Sequence, residues 1–147
     1  EAISEMFADL KYNEDYTSVI NERHYERINE LVSDAKEKGA EVIQINPADE
    51  DFEQQELHKI PPTLVLNPTD EMKIMQEEIF GPVLPVKEYE DFDETVNYVN
   101  SKDRPLGLYL FSNDKNKEKK VFQNFQSSKG RFLPFYFQPK LFHLMRF

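Results

Sequence analysis

The stretch NERHYERINELVSDAKEKGAEVIQI, Asn21–Ile45, changes periodicity part-way along, and that change decides the fold class. Tyr25, Ile28, Leu31, Val32 and Ala35 recur at three- and four-residue spacing, which places them on one face of a helix over residues 21–38. Glu22, Arg23, Glu26, Arg27, Glu30, Asp34 and Lys36 fill much of the remaining surface. Lys36 and Lys38 sit in the last turn, where cations suit the carbonyl end of the helix dipole. Gly39 then supplies the left-handed stop. Glu41–Ile45 follows as a short strand centred on Val42 and Ile43.

The alternation continues downstream. Asn46–Lys59 is polar and acidic and reads as an exposed excursion. Pro61 and Pro62 lead into an apolar strand, Thr63–Leu66, with Pro62 marking its start because it cannot donate to a ladder. Asn67-Pro68-Thr69-Asp70 is turn chemistry, and Thr69 or Asp70 is placed to cap a short helix through Met75. Ile79–Tyr89 contains Gly81, Pro82 and Pro85, which predict an extended segment with fixed bends. Asp91 and Glu94 resemble a capping box ahead of a helix whose buried stripe is Phe92, Val96 and Val99 and whose end lies near Lys102. Pro105 blocks continuation, and Leu106–Phe111 reads as a strand. Ser112 or Asn113 caps a last helix with Val121, Phe122 and Phe125 facing inward. Helices alternating with short apolar strands imply an α/β layer structure.

The chain has 147 residues, enough for one domain-sized core. Its 28 acidic and 18 basic residues give a net charge of −10, a surface that disfavours nucleic acid. No apolar run is long enough to span a membrane, and Glu1–Leu10 lacks the basic start of a secretory signal. There is no cysteine, which removes disulfides, thiolate metal sites and a thiol nucleophile from these residues, and fits a cytoplasmic setting.

Residues 131–147 depart from the rest. They carry six aromatics and three basic residues but no acid, whereas residues 1–130 hold all 28 acids and a net charge of −13. The expected organisation is therefore a domain over 1–130 and a divergent aromatic and basic tail over 131–147. A membrane-surface anchor and a non-native end, as from a shifted reading frame, both fit the tail; Pro134 and Pro139 break any amphipathic helix and favour the second.

No complete catalytic set is visible, so no catalytic residue is assigned. The four glycines are too scattered for a phosphate loop. His24, His58 and His143 lie far apart without ligand spacing, and Asp49–Glu56 lacks the glycine and alternation of a calcium loop, so no metal site is expected. Gln76–Pro82 is more informative. A carboxylate at Glu78, an aromatic ring at Phe80 and a Gly81-Pro82 bend form a sensible coenzyme-contact device: the carboxylate accepts from a ribose diol and the ring packs on a flat heterocycle. Read bare, Glu78 belongs to solvent and Phe80 to the core.

Glu77-Glu78-Ile79-Phe80-Gly81-Pro82 resembles a signature of the aldehyde dehydrogenase superfamily. Asp15–Tyr25 resembles the family segment that opens a catalytic-domain helix, and Arg104–Ser112 resembles a later block. Lys59–Leu66, with Asn46-Pro47, is similar to the coniferyl-aldehyde-dehydrogenase-like branch. The resemblance covers about residues 1–128. It implies a C-terminal part of the catalytic domain, with an incomplete doubly wound sheet and flanking helices. It also implies NAD or NADP as coenzyme and oxidation of an aromatic or medium-chain aldehyde to an acid through a cysteine thiolate, with a glutamate activating the hydrolytic water. By that resemblance Glu78 binds the nicotinamide-ribose hydroxyls and Phe80 positions the nicotinamide ring. Pro105, Leu106 and Tyr109 match as structural residues, and Glu77 matches without a coenzyme role.

The departures are specific. The family's nucleophilic cysteine, its general-base glutamate and its Rossmann-type domain lie upstream of the matching region. Ser127-Ser128-Lys129-Gly130 stands where the family has a Ser-Gly-Gly-like turn. The closing strands that help family enzymes oligomerise find no match. The expectation is an aldehyde dehydrogenase by family whose isolated chain is inactive. The alternatives from other classes are a non-catalytic interaction module and a decayed gene remnant.

Overall fold

The computed structural model describes residues 8–53, 55–103, 107–124, 133–135 and 144–146. Two compact units divide the chain, Glu1–Glu88 and Tyr89–Phe147. The expected α/β architecture is present.

In the first unit, helix α1 spans Glu22–Glu37. Asn21 caps it with extended backbone, its side chain accepting from the His24 N–H at 3.0 Å. Gly39 ends it at φ +90°, where a Cβ would be strained. The buried stripe is Ile28, Leu31 and Ala35, flanked by the half-buried Tyr25 and Val32. Against this stripe pack Ile60, Val65, Met72, Ile74 and Val83.

Val65 and Val83 come from a three-stranded sheet, β1 (Glu41–Gln44), β2 (Thr63–Leu66) and β3 (Val83–Val86), in spatial order β1-β2-β3, and Ile60, Met72 and Ile74 come from the segments flanking β2. β1 is antiparallel to β2, with Glu41 opposite Leu66 and Gln44 opposite Thr63. β2 is parallel to β3, with Thr63 opposite Val83 and Leu66 opposite Val86. Pro85 lies in β3, which borders the described sheet, where a missing N–H is tolerated.

The turn after β2 corrects the expected cap. The helical turn is a short 3₁₀ segment, Lys73–Met75, and neither Thr69 nor Asp70 caps it with a side chain. Asp70 accepts from Lys87 Nζ at 2.9 Å. The donor at the head of the turn, the Lys73 N–H, is satisfied instead by Asp34 of α1 at 2.9 Å. Asp34 also pairs with Lys38 at 2.8 Å, one turn along the same helix. The Lys38 ammonium first, and then the Lys73 N–H, hold the Asp34 carboxyl below the ordinary aspartate value.

The acidic excursion is also more than a solvated loop. Asp49, Asp51, Glu53 and Glu56 are exposed, but Glu50 is half-buried. Its carboxylate accepts from the Leu10 N–H at 2.7 Å and the Lys11 N–H at 3.0 Å. Lys59 is buried, and its Nζ donates to the carbonyls of Leu10 at 3.2 Å and Asn13 at 2.6 Å. Two charged side chains thus tie down residues 10–13, with Leu10 wholly buried between them.

In the second unit, helix α2 (Phe92–Asn100) is capped by Asp91, whose carboxylate accepts from the Asp93 N–H at 2.9 Å. Val96 and Val99 are buried as expected, with Phe92 packed beside them. Strand β4 (Leu108–Phe111) buries Leu108 and Leu110. Helix α3 spans Lys115–Asn124 and buries Val121. Two expectations for α3 are corrected. Asp114, rather than Ser112 or Asn113, accepts the first-turn N–H, that of Asn116, at 2.8 Å. Phe122 faces outward, at 51% exposure, because Val121 takes the inward position one residue earlier. Phe125, Pro105 and Leu106 lie outside the described residues.

The tail, for which periodicity predicts no element, contains two short strands, β5 (Leu133–Phe135) and β6 (Leu144–Arg146). β5 pairs parallel and β6 antiparallel to β4, giving the order β5-β4-β6.

Two outcomes follow from this packing. The Asp34 pKa is lowered on folding, so its stabilisation is present above the ordinary aspartate value of about 3.9 and is lost as pH falls below it. Asp34→Asn lowers stability at neutral pH, and its deficit against the parent closes as urea melts are taken into acid. The second concerns Gly81, itself exposed, where a Cβ would stand 2.5 Å from Cδ1 of the wholly buried Ile28. Gly81→Ala destabilises by about 1–3 kcal/mol. Adding Ile28→Val, which removes Cδ1, makes the double variant less unstable than the sum of the two single changes in urea melts.

Candidate functional site

Two segments of the first unit form an open concavity of about 540 Å³, lined by Asp15–Ile20 on one side and by Phe80, Gly81 and Pro82 on the other.

The first wall is fixed from behind. Residues 10–13 are held by Glu50 and Lys59. Tyr16 then turns its hydroxyl inward and donates to the Ile60 carbonyl at 2.6 Å. Burial pushes the Tyr16 phenol up to about 12, so it stays protonated and keeps that bond. The Val19 N–H donates to the His58 carbonyl at 2.9 Å. His58 has a left-handed backbone, φ 51°, and its Nε2 pairs with Glu22 at 2.5 Å. These bonds leave Ile20 pointing into solvent at 84% exposure.

The second wall is the bend at Glu77–Pro82. Ile79 packs on the core, so the next residue turns outward. Phe80 is 76% exposed, which overturns its bare expectation as a core residue. Its backbone sits at φ 49°, a region that costs a bulky residue about 1–3 kcal/mol. Gly81 follows because its missing Cβ lets the bend lie directly on Ile28. The Thr63 N–H then takes the Pro82 carbonyl at 2.8 Å and feeds the chain into β3. The Glu78 side chain is exposed, and its carboxylate has no hydrogen bond or ion pair among the described residues.

The structure therefore brings Glu78 and Phe80 onto one bend, with Phe80 against the concavity. It adds a residue that motif reading passed over. Arg27, taken from the sequence only as part of the charged face of α1, donates to the Glu78 carbonyl at 3.1 Å and the Ile79 carbonyl at 2.6 Å. It also lies 3.5 Å from the Glu77 carboxylate. Its sequence signal is its place next to Ile28 on the helix, but the backbone groups it meets lie about fifty residues downstream.

Chemically, the bend offers an unengaged carboxylate as a hydrogen-bond acceptor and an exposed aromatic face. A nicotinamide riboside needs both, an acceptor for its diol and an apolar surface for its ring, so the residues fit that group. Among the described residues no three His, Asp or Glu side chains converge to hold a metal ion. Among them, too, no helix is long and apolar enough to cross a membrane.

Residues 4–130 match the model of the aldehyde dehydrogenase family. A probable coniferyl aldehyde dehydrogenase from Caulobacter vibrioides is 58% identical over 122 residues, covering 83% of this chain and 25% of that protein. A coniferyl aldehyde dehydrogenase from a Pseudomonas species is 49% identical over 112 residues, covering 76% of this chain and 23% of that one. Among solved structures, a substrate-bound Staphylococcus aureus AldH superposes with a TM-score of 0.67 at 31% identity, over 82% of this chain and 24% of that one. A 3,6-anhydro-L-galactose dehydrogenase in complex with NAP superposes with a TM-score of 0.63 at 27% identity, over 86% and 26% of the two chains. The chain spans about a quarter of the length of the curated relatives it matches. With residues 4–130 matching the family model and relatives of 58% and 49% identity covering most of its length, this chain belongs to the aldehyde dehydrogenase family.

Proposed function

We propose that this chain is the coenzyme-facing part of an NAD(P)+-dependent aldehyde dehydrogenase that oxidises coniferyl-type or other aromatic aldehydes to acids. One observation carries the proposal: Phe80 is held outward on a strained backbone, two residues after a carboxylate with nothing to bind among the described residues. Family membership supports the reaction, and similarity to coniferyl aldehyde dehydrogenases supports the aldehyde class.

In this proposal Glu78 accepts hydrogen bonds from the nicotinamide-ribose hydroxyls, and Phe80 lends one face to the nicotinamide ring. The coenzyme, when bound, supplies the hydride acceptor. The task of the chain is to orient it: a charged acceptor fixes the sugar, and an apolar ring keeps water off one side of the heterocycle. These 147 residues include no cysteine, so a thiolate for attack on the carbonyl carbon has to come from elsewhere. We place the reaction in the cytoplasm, and we read residues 131–147 as lying outside the family domain, a boundary supported by the end of the family match at residue 130.

The test grafts residues 4–130 in place of the matching quarter of a coniferyl aldehyde dehydrogenase and follows NADH formation with coniferyl aldehyde. The graft is expected to turn over. Glu78→Gln in the graft raises the KM for NAD+ by about tenfold or more, as expected for losing a charge-assisted hydrogen bond. Phe80→Ala lowers kcat/KM for the same coenzyme while the KM for aldehyde stays within about twofold. The 147-residue polypeptide alone shows no sustained turnover. An active graft indifferent to both substitutions, or turnover by the polypeptide alone, overturns the proposal.

A further inference from the structure

The proposed coenzyme contacts raise a question of support: what keeps Phe80 turned outward? Its backbone is in the left-handed region, its ring is mostly in solvent, and the ring itself contributes little to holding the bend. The carboxylate of Glu78 is likewise unengaged among the described residues. The conformation has to be imposed by neighbours.

Two adjacent residues of α1 do this from different sides. Ile28, wholly buried, fills the space that Gly81 leaves open. Arg27 reaches the bend before Phe80, with Nη1 donating to the Glu78 carbonyl at 3.1 Å and Nη2 donating to the Ile79 carbonyl at 2.6 Å. The planar guanidinium presents its two nitrogens in a fixed fork, so two successive carbonyls are held in one relative orientation. Nη1 also lies 3.5 Å from Glu77. Three consecutive residues leading into Phe80 therefore touch one side chain.

We infer that Arg27 is a positioning residue for coenzyme binding, clamping the backbone of Glu78 and Ile79 so that the Glu78 carboxylate and the Phe80 ring are presented together. This rests on the proposed role of Glu78 and Phe80 and extends it to a helix that does not line the concavity at this position. The carbonyl bonds hold the bend, and the Glu77 ion pair is secondary: it is longer, and the Glu77 side chain is half exposed, where such pairs contribute little.

The test has two readouts. In the isotope-labelled 147-residue chain, φ-sensitive couplings and Cα shifts of Phe80 report the backbone with no coenzyme present. In the active graft, kinetics report the KM for NAD+ against the KM for aldehyde. Arg27→Ala abolishes the positive-φ signature and raises the KM for NAD+ by about tenfold, with the KM for aldehyde within about twofold. Arg27→Lys keeps the charge but not the fork and gives a partial loss in both readouts. Glu77→Gln leaves both near the parent. Should Arg27→Ala fail to fold, Arg27→Lys decides. Retention of the Phe80 signature and of coenzyme KM in Arg27→Lys and in any folded Arg27→Ala overturns the clamp. Equal loss in Glu77→Gln overturns it too, by assigning the effect to the ion pair. If Arg27 variants shift Phe80 while Glu78→Gln and Phe80→Ala leave coenzyme kinetics untouched, the coenzyme role of both the bend and Arg27 falls.

Discussion

The contact on which the site depends is the one between helix α1 and the bend at Glu77–Pro82. The helix forms for local reasons: a capped start at Asn21, an apolar stripe and a glycine stop. Its buried face then serves a second purpose. Ile28 reaches into the space beside Gly81, so the bend lies closer to the helix than any residue with a Cβ would allow. With the backbone at Gly81 fixed by contact and the backbone at Glu78 and Ile79 fixed by Arg27, Phe80 has little freedom left. The strain at a positive φ, about 1–3 kcal/mol, is of the same size as one hydrogen bond from a charged donor. Two such bonds from Arg27 are enough to offset it.

The opposite wall is built by different means. Residues 10–20 contain no helix or strand among the described residues, so they cannot be positioned by a ladder. They are tied instead by groups on the later excursion and the residue that follows it: Glu50 to two N–H donors, Lys59 to two carbonyls and the Ile60 carbonyl to the Tyr16 hydroxyl. A buried ammonium is costly unless its donors are engaged, and here carbonyl oxygens receive it. The acidic loop thereby acquires a structural duty. One of its carboxylates neutralises backbone donors that would otherwise be stranded near the buried Leu10.

What could be read from the sequence follows from the range of the forces involved. α1 and Gly39, the strand at Thr63–Leu66 and the Asp91 cap are set by residues within a few positions of one another, and local patterns find them. Glu78 and Phe80 become coenzyme-contact candidates through the resemblance of Glu77–Pro82 to a family signature, since their bare pattern assigns Glu78 to solvent and Phe80 to the core. Phe80's outward turn was not legible, since composition alone assigns an aromatic to the core; only the inward packing of Ile79 and the hold of α1 reverse that. Asp34 capping Lys73 across thirty-nine residues, Arg27 reaching Ile79 across fifty-two, and the pairing of tail strands with β4 all depend on tertiary proximity. No local pattern announces them. Phe122 shows the converse error: a position one residue off the stripe is exposed when its neighbour Val121 takes the buried place.

The bend also carries its own argument for a ligand. Leaving a phenyl ring in water forgoes about 1.5–3 kcal/mol of burial, and the left-handed backbone adds about 1–3 kcal/mol of strain. Ile20, on the facing wall of the same concavity, is exposed as well. Folding recovers none of this, since neither side chain packs on the core. A glycine or asparagine at position 80 would relieve the backbone, and a polar residue would suit the solvent, yet an aromatic stands there. On the proposed coenzyme role, the local cost is repaid by the group that covers the ring. A flat heterocycle whose sugar is held two residues away would repay it with apolar contact on one side and a charge-assisted hydrogen bond on the other. On that proposal, strain, exposure and an unengaged carboxylate on one short bend share a single cause.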